Sequence, residues 1–289
     1  TTVFVENEIP TYTEIIIGLP GETLESFKEG LETIAQTKVG TLSWGICSVL
    51  PNAPMNLPEY KEKFQIKTIR SPVHLRHVSI EYLHQDKIKE FEEIICETSS
   101  FTLEELKQMM LFAWVFSTFQ NLGVFEEFAQ YYRQIYDLSF MSFYETFFEF
   151  SKSEKTVFSE EIEIVTKYFD IGFSGKGWDH IEPRFGNINW PIEEASWLRF
   201  SLDNNRFEKD SIKFLKFLEK KYNFNSTKEV LKDLTKFQGF LTTSKTSLEE
   251  IKTEKFIVDW KSFFMNNDKK VKEIPTQYYF KNLVTEKDP

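Results

Sequence analysis

Four groups of residues have the types and spacing to do chemistry. The first is the turn Gly18-Leu19-Pro20-Gly21-Glu22-Thr23, which follows the β-branched run Ile15-Ile16-Ile17. Glycine adopts backbone conformations closed to other residues and lets a ligand approach the main chain. Such a turn at the end of a buried strand is a place to hold a cofactor. The second group is His74 and His77, in Val73-His74-Leu75-Arg76-His77. A metal would want further ligands and a supporting shell, and none stands nearby in sequence. The pair therefore reads as surface or interdomain histidines, and no metal site is expected. The third group is Asp179, Glu182, Glu193 and Glu194. Two of these carboxylates could serve as acid and base, although carboxylates flanking a helix start ordinarily act as caps and dipole partners. The fourth is the glycine-rich loop Gly172, Gly175 and Gly177. No clear strand precedes it and no Lys-Ser/Thr follows, which disfavours a phosphate loop.

Composition excludes several classes. The net charge is −10, and so acidic a chain repels phosphate backbones, which argues against nucleic acid as a partner. Two cysteines, Cys47 and Cys96, make no secreted disulfide framework and point to a reducing, cytoplasmic compartment. Nor can two thiols alone supply a structural zinc site or an iron–sulfur cluster. Both read as small core residues, Cys47 in a strand-like run and Cys96 in an apolar helical stretch. The most apolar segment, Met109 to Phe119, falls short of the ~20 residues of a membrane span.

The elements that must position these groups change along the chain. Thr13 to Ile17 reads as a buried parallel strand. Leu24, Phe27, Leu31 and Ile34 then repeat at helical spacing behind Thr23 as N-cap. Gly40 breaks the chain, and Thr41 to Leu50 reads as a second strand. Strand, helix, strand is a βαβ unit. A two-stranded parallel sheet alone leaves edges and faces uncovered. The expectation is therefore that preceding strands belong to the same polypeptide, and that Ile15 to Ile17 presents an exposed apolar edge and face.

Farther on the chain turns helical. Thr102-Leu103-Glu104-Glu105 is a capping box opening a helix to about Leu122. Helices follow from Phe125 to Tyr136, from a second box at Ser142-Phe143-Tyr144-Glu145 to Ser151, and from Ser159 to Phe169. Further helices run from Ile192 to Asp203 behind Pro191, from Asp210 to Lys221, and from Thr227 to Gln238, the last closed by Gly239. Phe256, Val258 and Trp260 alternate as a strand, with Ile274 to Phe280 as its partner. The expected organisation is 1–56 as α/β, 57–100 as a connecting segment, 101–250 as a helical domain and 251–289 as short strands and tail.

A family resemblance gathers these features. The strand and turn from Pro10 to Thr23 resemble the fifth strand and following turn of radical S-adenosylmethionine (radical SAM) enzymes. Leu50-Pro51-Asn52-Ala53-Pro54-Met55 is similar to the sixth-strand exit in the cobalamin-binding branch of that superfamily. The resemblance continues through 59–68, Trp178-Asp179 and 183–191. It implies the C-terminal half of a cobalamin-binding radical SAM protein. Residues 1–56 would then be the last βαβ portion of a partial TIM-type barrel, followed by a mainly helical domain with a short terminal β-hairpin. By that resemblance Ile16, Gly18, Leu19, Pro20, Gly21 and Asn52 line the S-adenosylmethionine site, while Glu22 orders the turn and the helix start. The segment from Gly175 to Trp190 could cover the barrel mouth. Asp179, Arg184 and Trp190, together with Glu14, are its candidate substrate contacts, and no catalytic residue is assigned. The family holds a [4Fe–4S] cluster on three closely spaced cysteines, a triplet missing from this sequence. Cluster and cobalamin sites are thus expected elsewhere in the parent polypeptide, with this chain inactive by itself. The competing reading is a non-catalytic helical interaction module, and a carboxylate hydrolase ranks third.

Overall fold

The β-branched run and the helix behind it form the expected βαβ unit. A computed structural model describes residues 11–37, 41–85, 88–244 and 252–280, with isolated positions before residue 11. In it β1 (Tyr12–Ile17) pairs in parallel with β2 (Thr41–Ile46), Ile15 opposite Trp44 and Ile17 opposite Ile46. Between them, α1 (Leu24–Gln36) buries Phe27 and Leu31. Its cap is reciprocal. The Thr23 hydroxyl accepts from the Ser26 N–H at 3.1 Å, and Ser26 Oγ accepts from the Thr23 N–H at 3.0 Å. The expected break at Gly40 lies outside the described residues.

The chain divides into two compact units. The first comprises Thr1–Ser117 and Glu161–Ala195, the second Thr118–Glu160 and Ser196–Pro289. In the first unit, α4 (Leu103–Val115) packs against β1 and α1. Side chains alternate across a strand, so the opposite face carries Tyr12, Glu14 and Ile16. Tyr12 is 67% exposed and Ile16 54%, as expected of an uncovered sheet face.

The stretch between the βαβ unit and α4 is more than a connector. After α2 (Pro58–Phe64), β3 (Lys67–Pro72) and β4 (Phe91–Glu97) form an antiparallel pair, with α3 (Ile80–Gln85) between them. Cys96 therefore sits in a strand, and the expected helical setting is corrected. Its run Ile94-Ile95-Cys96 is short and β-branched, a pattern that fits either element. The second strand likewise ends at Ile46, short of Leu50. Beyond it the main chain runs beside β4, with Ile95 N–H donating to the Cys47 carbonyl at 2.9 Å and Val49 N–H to that of Glu93 at 2.7 Å. α7 (Val157–Ile171), expected over Ser159 to Phe169, passes into a π-helical turn, Gly172–Lys176.

The second unit is helical and aromatic: α5 (Glu126–Tyr136), α6 (Phe140–Ser153), α9 (Asn204–Tyr222) and α10 (Lys228–Ser244), with α8 (Ile192–Leu202) leading into it. Phe125 is fully buried, stacked on Phe214 at 5.6 Å and edge-on to Phe119 at 5.0 Å. Three boundaries differ from expectation. Ser139, not Ser142, caps α6, accepting from the Ser142 N–H at 3.0 Å; Phe140 is 3% exposed, and burying it starts the helix earlier. α9 begins at Asn204 instead of Asp210. α10 runs through Gly239 rather than ending there. A helical glycine costs ~1 kcal/mol, which the packing of Phe237 against Phe256 and of Phe240 against Phe280 offsets.

At the C-terminal side, β5 (Lys252–Phe256) and β6 (Thr276–Phe280) are antiparallel. Their pairing is that expected of the terminal hairpin, and a helix, α11 (Trp260–Met265), stands in the connection between them. Trp260 is helical, not part of the strand, because Asp233 gathers the preceding turn. Its carboxylate accepts from the Ile257 N–H at 3.1 Å and from the Trp260 indole N–H at 2.9 Å. Among the described residues the sheets have two strands each and none closes into a barrel.

Candidate functional site

The turn after β1 is built on backbone geometry. Gly18 is buried at φ 88°, and a Cβ there would meet Leu106 Cδ1 at 3.1 Å. Any other residue would be strained twice, by conformation and by contact. Gly21, at φ 94°, donates its N–H to Ser100 Oγ at 3.1 Å. Glu22 accepts from Ser26 and donates its own N–H to the Leu19 carbonyl at 3.1 Å, a turn-ordering role. Ile16 and Leu19 are exposed, Pro20 is half-buried, and Asn52 and Glu14 are exposed.

These positions test the fit of the cofactors implied by the resemblance. Exposed apolar side chains beside a glycine turn at the C-terminal end of a parallel strand fit one wall of an adenosyl group. The residues do not fit a cluster. Cys47 and Cys96 are free thiols, and among the described residues no group of three or more His, Cys, Asp or Glu could hold a metal ion.

A second feature of the first unit escaped the sequence reading. A cavity of about 180 Å³ lies against the last residues of β2, Trp44, Gly45 and Ile46, and is also lined by Ile94, Tyr168 and Trp178. Its polar lining is His74, Arg76, Glu92 and Glu193. Arg76 is held from two sides: Nη2 donates to the Trp44 carbonyl at 3.0 Å, and Nη1 pairs with Glu193 Oε1 at 3.2 Å. Glu193, in the first turn of α8, is buried, and burial pushes its carboxyl up while Arg76 pulls it back. His74 is driven down to about 4 by burial and by the Arg76 charge, so it is neutral at pH 7. It lines the cavity, where the sequence suggests a surface or interdomain histidine. Burial likewise pushes the Tyr168 hydroxyl up. Val73-His74-Leu75-Arg76 alternates, which places His74 and Arg76 on one side of an extended chain. That pattern was the available signal.

Asn189, fully buried, ties the two loops at the rim together. Its amide donates to the Leu75 carbonyl at 2.8 Å and to Asp179 Oδ1 at 2.9 Å, and its carbonyl oxygen accepts from the His180 N–H at 2.8 Å. Asp179 is thereby a loop fastener. Arg184 is exposed and forked onto Glu182 at 2.9 and 3.0 Å, and Trp190 is half-buried. His77 pairs with Glu194 at 2.8 Å, apart from the cavity lining.

The first unit thus joins a glycine turn on a parallel strand to a small polar–aromatic cavity. No protein-family model matches the chain. It is similar to the cobalamin-dependent radical SAM methyltransferase TokK of Streptomyces tokunonensis, 21% identical over 277 residues, 90% of this chain and 40% of that protein. It is also similar to a 2-(S-pantetheinyl)-carbapenam-3-carboxylate methyltransferase of Streptantibioticus cattleyicolor, 26% identical over 146 residues, 49% of this chain and 20% of that protein. The chain therefore spans well under half the length of these curated relatives. The resemblance drawn from the turn and strand exits agrees with both. Among the described residues no helix is long and apolar enough to cross a membrane.

Proposed function

We propose that this chain is the C-terminal part of a cobalamin-dependent radical SAM methyltransferase acting on a small molecule in the cytoplasm. The carrying observation is the Gly18–Gly21 turn on a parallel strand pair whose Tyr12–Ile16 face is uncovered, in a chain similar to TokK over nine-tenths of its length. In this reading residues 1–56 are the last strand–helix–strand of a partial barrel and the uncovered face is its interior. Ile16, Gly18, Leu19, Pro20, Gly21 and Asn52 form one wall of the S-adenosylmethionine site, with Glu22 fixing the turn. The segment carrying Asp179, Arg184 and Trp190, along with Glu14, faces the substrate side. S-adenosylmethionine, the cluster and cobalamin together would supply the radical and the methyl group. The cluster and cobalamin sites belong to the remainder of the polypeptide, its necessary partner, and the chain alone is inactive.

The test uses the intact polypeptide, purified anaerobically with its cluster and cobalamin restored. Cleavage of S-adenosylmethionine and formation of S-adenosylhomocysteine are expected. Gly18→Val should weaken S-adenosylmethionine binding about tenfold or more, a cost of ~1.4 kcal/mol. Absence of cleavage by the loaded protein, or unchanged binding in a folded Gly18→Val variant, would overturn the reading.

A further inference from the structure

One later segment, 98–106, holds both glycines of the turn after β1. At Gly18 the contact is steric: a Cβ there would stand 3.1 Å from Leu106 Cδ1 and 3.6 Å from Phe101 Cζ. At Gly21 it is a hydrogen bond, the N–H donating to Ser100 Oγ at 3.1 Å across 79 positions of sequence. Packing does not fix Gly21. It is exposed, and a Cβ there would meet no atom within 4 Å. A glycine at φ 94° has many other conformations open to it, so this one bond selects which of them the turn keeps.

Ser100 is itself fixed. Its N–H donates to Thr98 Oγ1 at 3.1 Å, and the two hydroxyls are hydrogen-bonded at 2.9 Å. Thr98 is buried, and its own N–H donates to the Phe101 carbonyl at 3.0 Å. The acceptor that meets Gly21 therefore belongs to a local network in the turn ahead of α4.

The same bonds decide which part of a ligand the glycine turn suits. A glycine turn ahead of a helix attracts anions through its free N–H groups. Here the Gly21 N–H is given to Ser100, the Glu22 N–H to the Leu19 carbonyl at 3.1 Å and the Thr23 N–H to Ser26 Oγ at 3.0 Å. Three consecutive donors are committed and are not offered to a carboxylate. The turn presents instead the exposed Ile16 and Leu19 and the half-buried Pro20. That apolar surface suits the adenosyl group and not the charged amino-acid end of S-adenosylmethionine.

We propose that Ser100 is a positioning residue for the adenosyl group: by accepting from Gly21 it fixes the turn in the conformation that lays its apolar surface against S-adenosylmethionine. The proposal rests on the S-adenosylmethionine wall assigned above and adds to it a residue from outside the strand–helix–strand unit.

The experiment is equilibrium dialysis of the intact, cluster-loaded polypeptide against S-adenosylmethionine and against 5′-methylthioadenosine, which keeps the adenosyl group and lacks the amino-acid end. Ser100→Ala should weaken both by about three- to tenfold, the range expected for one lost hydrogen bond. Ser100→Thr keeps the acceptor and should restore both. Thr102→Ala loosens the same junction without touching Gly21 and should leave both affinities unchanged. Unchanged binding in Ser100→Ala, an equal loss in Thr102→Ala, or a loss confined to S-adenosylmethionine would overturn the proposal. Hydrogen exchange in the unaltered polypeptide needs no variant: the Gly21 amide should be protected, and slowed by a further tenfold or about that when methylthioadenosine is bound. A freely exchanging Gly21 amide would overturn the proposal whether or not the variants fold. No binding of either compound by the unaltered polypeptide would overturn the cofactor wall as well, so the two readings fail distinguishably.

Discussion

The two units of this chain spend their side chains differently. The second is an aromatic interior in which Phe125, Phe147, Phe158 and Phe214 are fully buried and lie against one another. The first leaves a strand face bare, pairs the half-buried Arg76 with the buried Glu193, and holds a histidine far below its ordinary pKa. A packed aromatic core gives rigidity. Bare faces and perturbed titratable groups lower stability and are retained where a site must bind or react. The contrast sets a closed aromatic core in the second unit against a bare strand face and a cavity in the first.

The strongest challenge to that contrast is Phe125→Ala. It should destabilise the second unit by about 3–5 kcal/mol, read as a lowered denaturation midpoint. A loss under ~1 kcal/mol would show the core to be loosely packed. Next is Asp233→Ala, which strips acceptors from the turn before α11 and leaves the Trp260 indole N–H unpaired. The expected cost is about 2–3 kcal/mol, seen as early loss of amide protection in β5.

The third prediction concerns pH. His74 titrates near 4 in the folded chain and near 6.5 unfolded. Between those values the unfolded state binds more protons, so stability falls as pH falls through this window, by roughly 2 kcal/mol from pH 7 to pH 4.5. Burial raises Glu193 above its unfolded value, which acts in the opposite sense. His74→Phe should remove the His74 share of the acid sensitivity of the first unit and leave that of the second unchanged. An unaltered slope would place the sensitivity elsewhere.

Smaller effects sharpen the picture. Thr102→Ala removes a capping box in which the Thr102 hydroxyl accepts from the Glu105 N–H at 3.3 Å and Glu105 accepts from the Thr102 N–H at 2.8 Å. About 1 kcal/mol is expected. Ile16→Asn, on the bare face, should change stability by no more than about 0.5 kcal/mol while weakening S-adenosylmethionine binding in the intact polypeptide. A large stability loss would mean that the face is covered.

Local signals were legible in the sequence. The βαβ unit, the caps at Thr23 and Thr102, the glycine turn and the exposed face at Ile16 follow from period, capping chemistry and backbone freedom, which act over a few residues. Errors fell where distant residues decide. Gly239 stays helical because Phe237 and Phe240 pack, Trp260 leaves a strand pattern because Asp233 captures it, and Ile94-Ile95-Cys96 becomes a strand through pairing with β3.

The cavity shows the same division most clearly. Residue type, period and backbone freedom suffice for the Gly18–Gly21 turn, the parallel pair that carries it and the two-cysteine inventory. Only the tertiary structure brought Trp44, His74, Arg76, Trp178 and Glu193 onto one small volume. Burial and charge pairing depend on neighbours more than a hundred positions away, and hydrophobic periodicity carries no record of them.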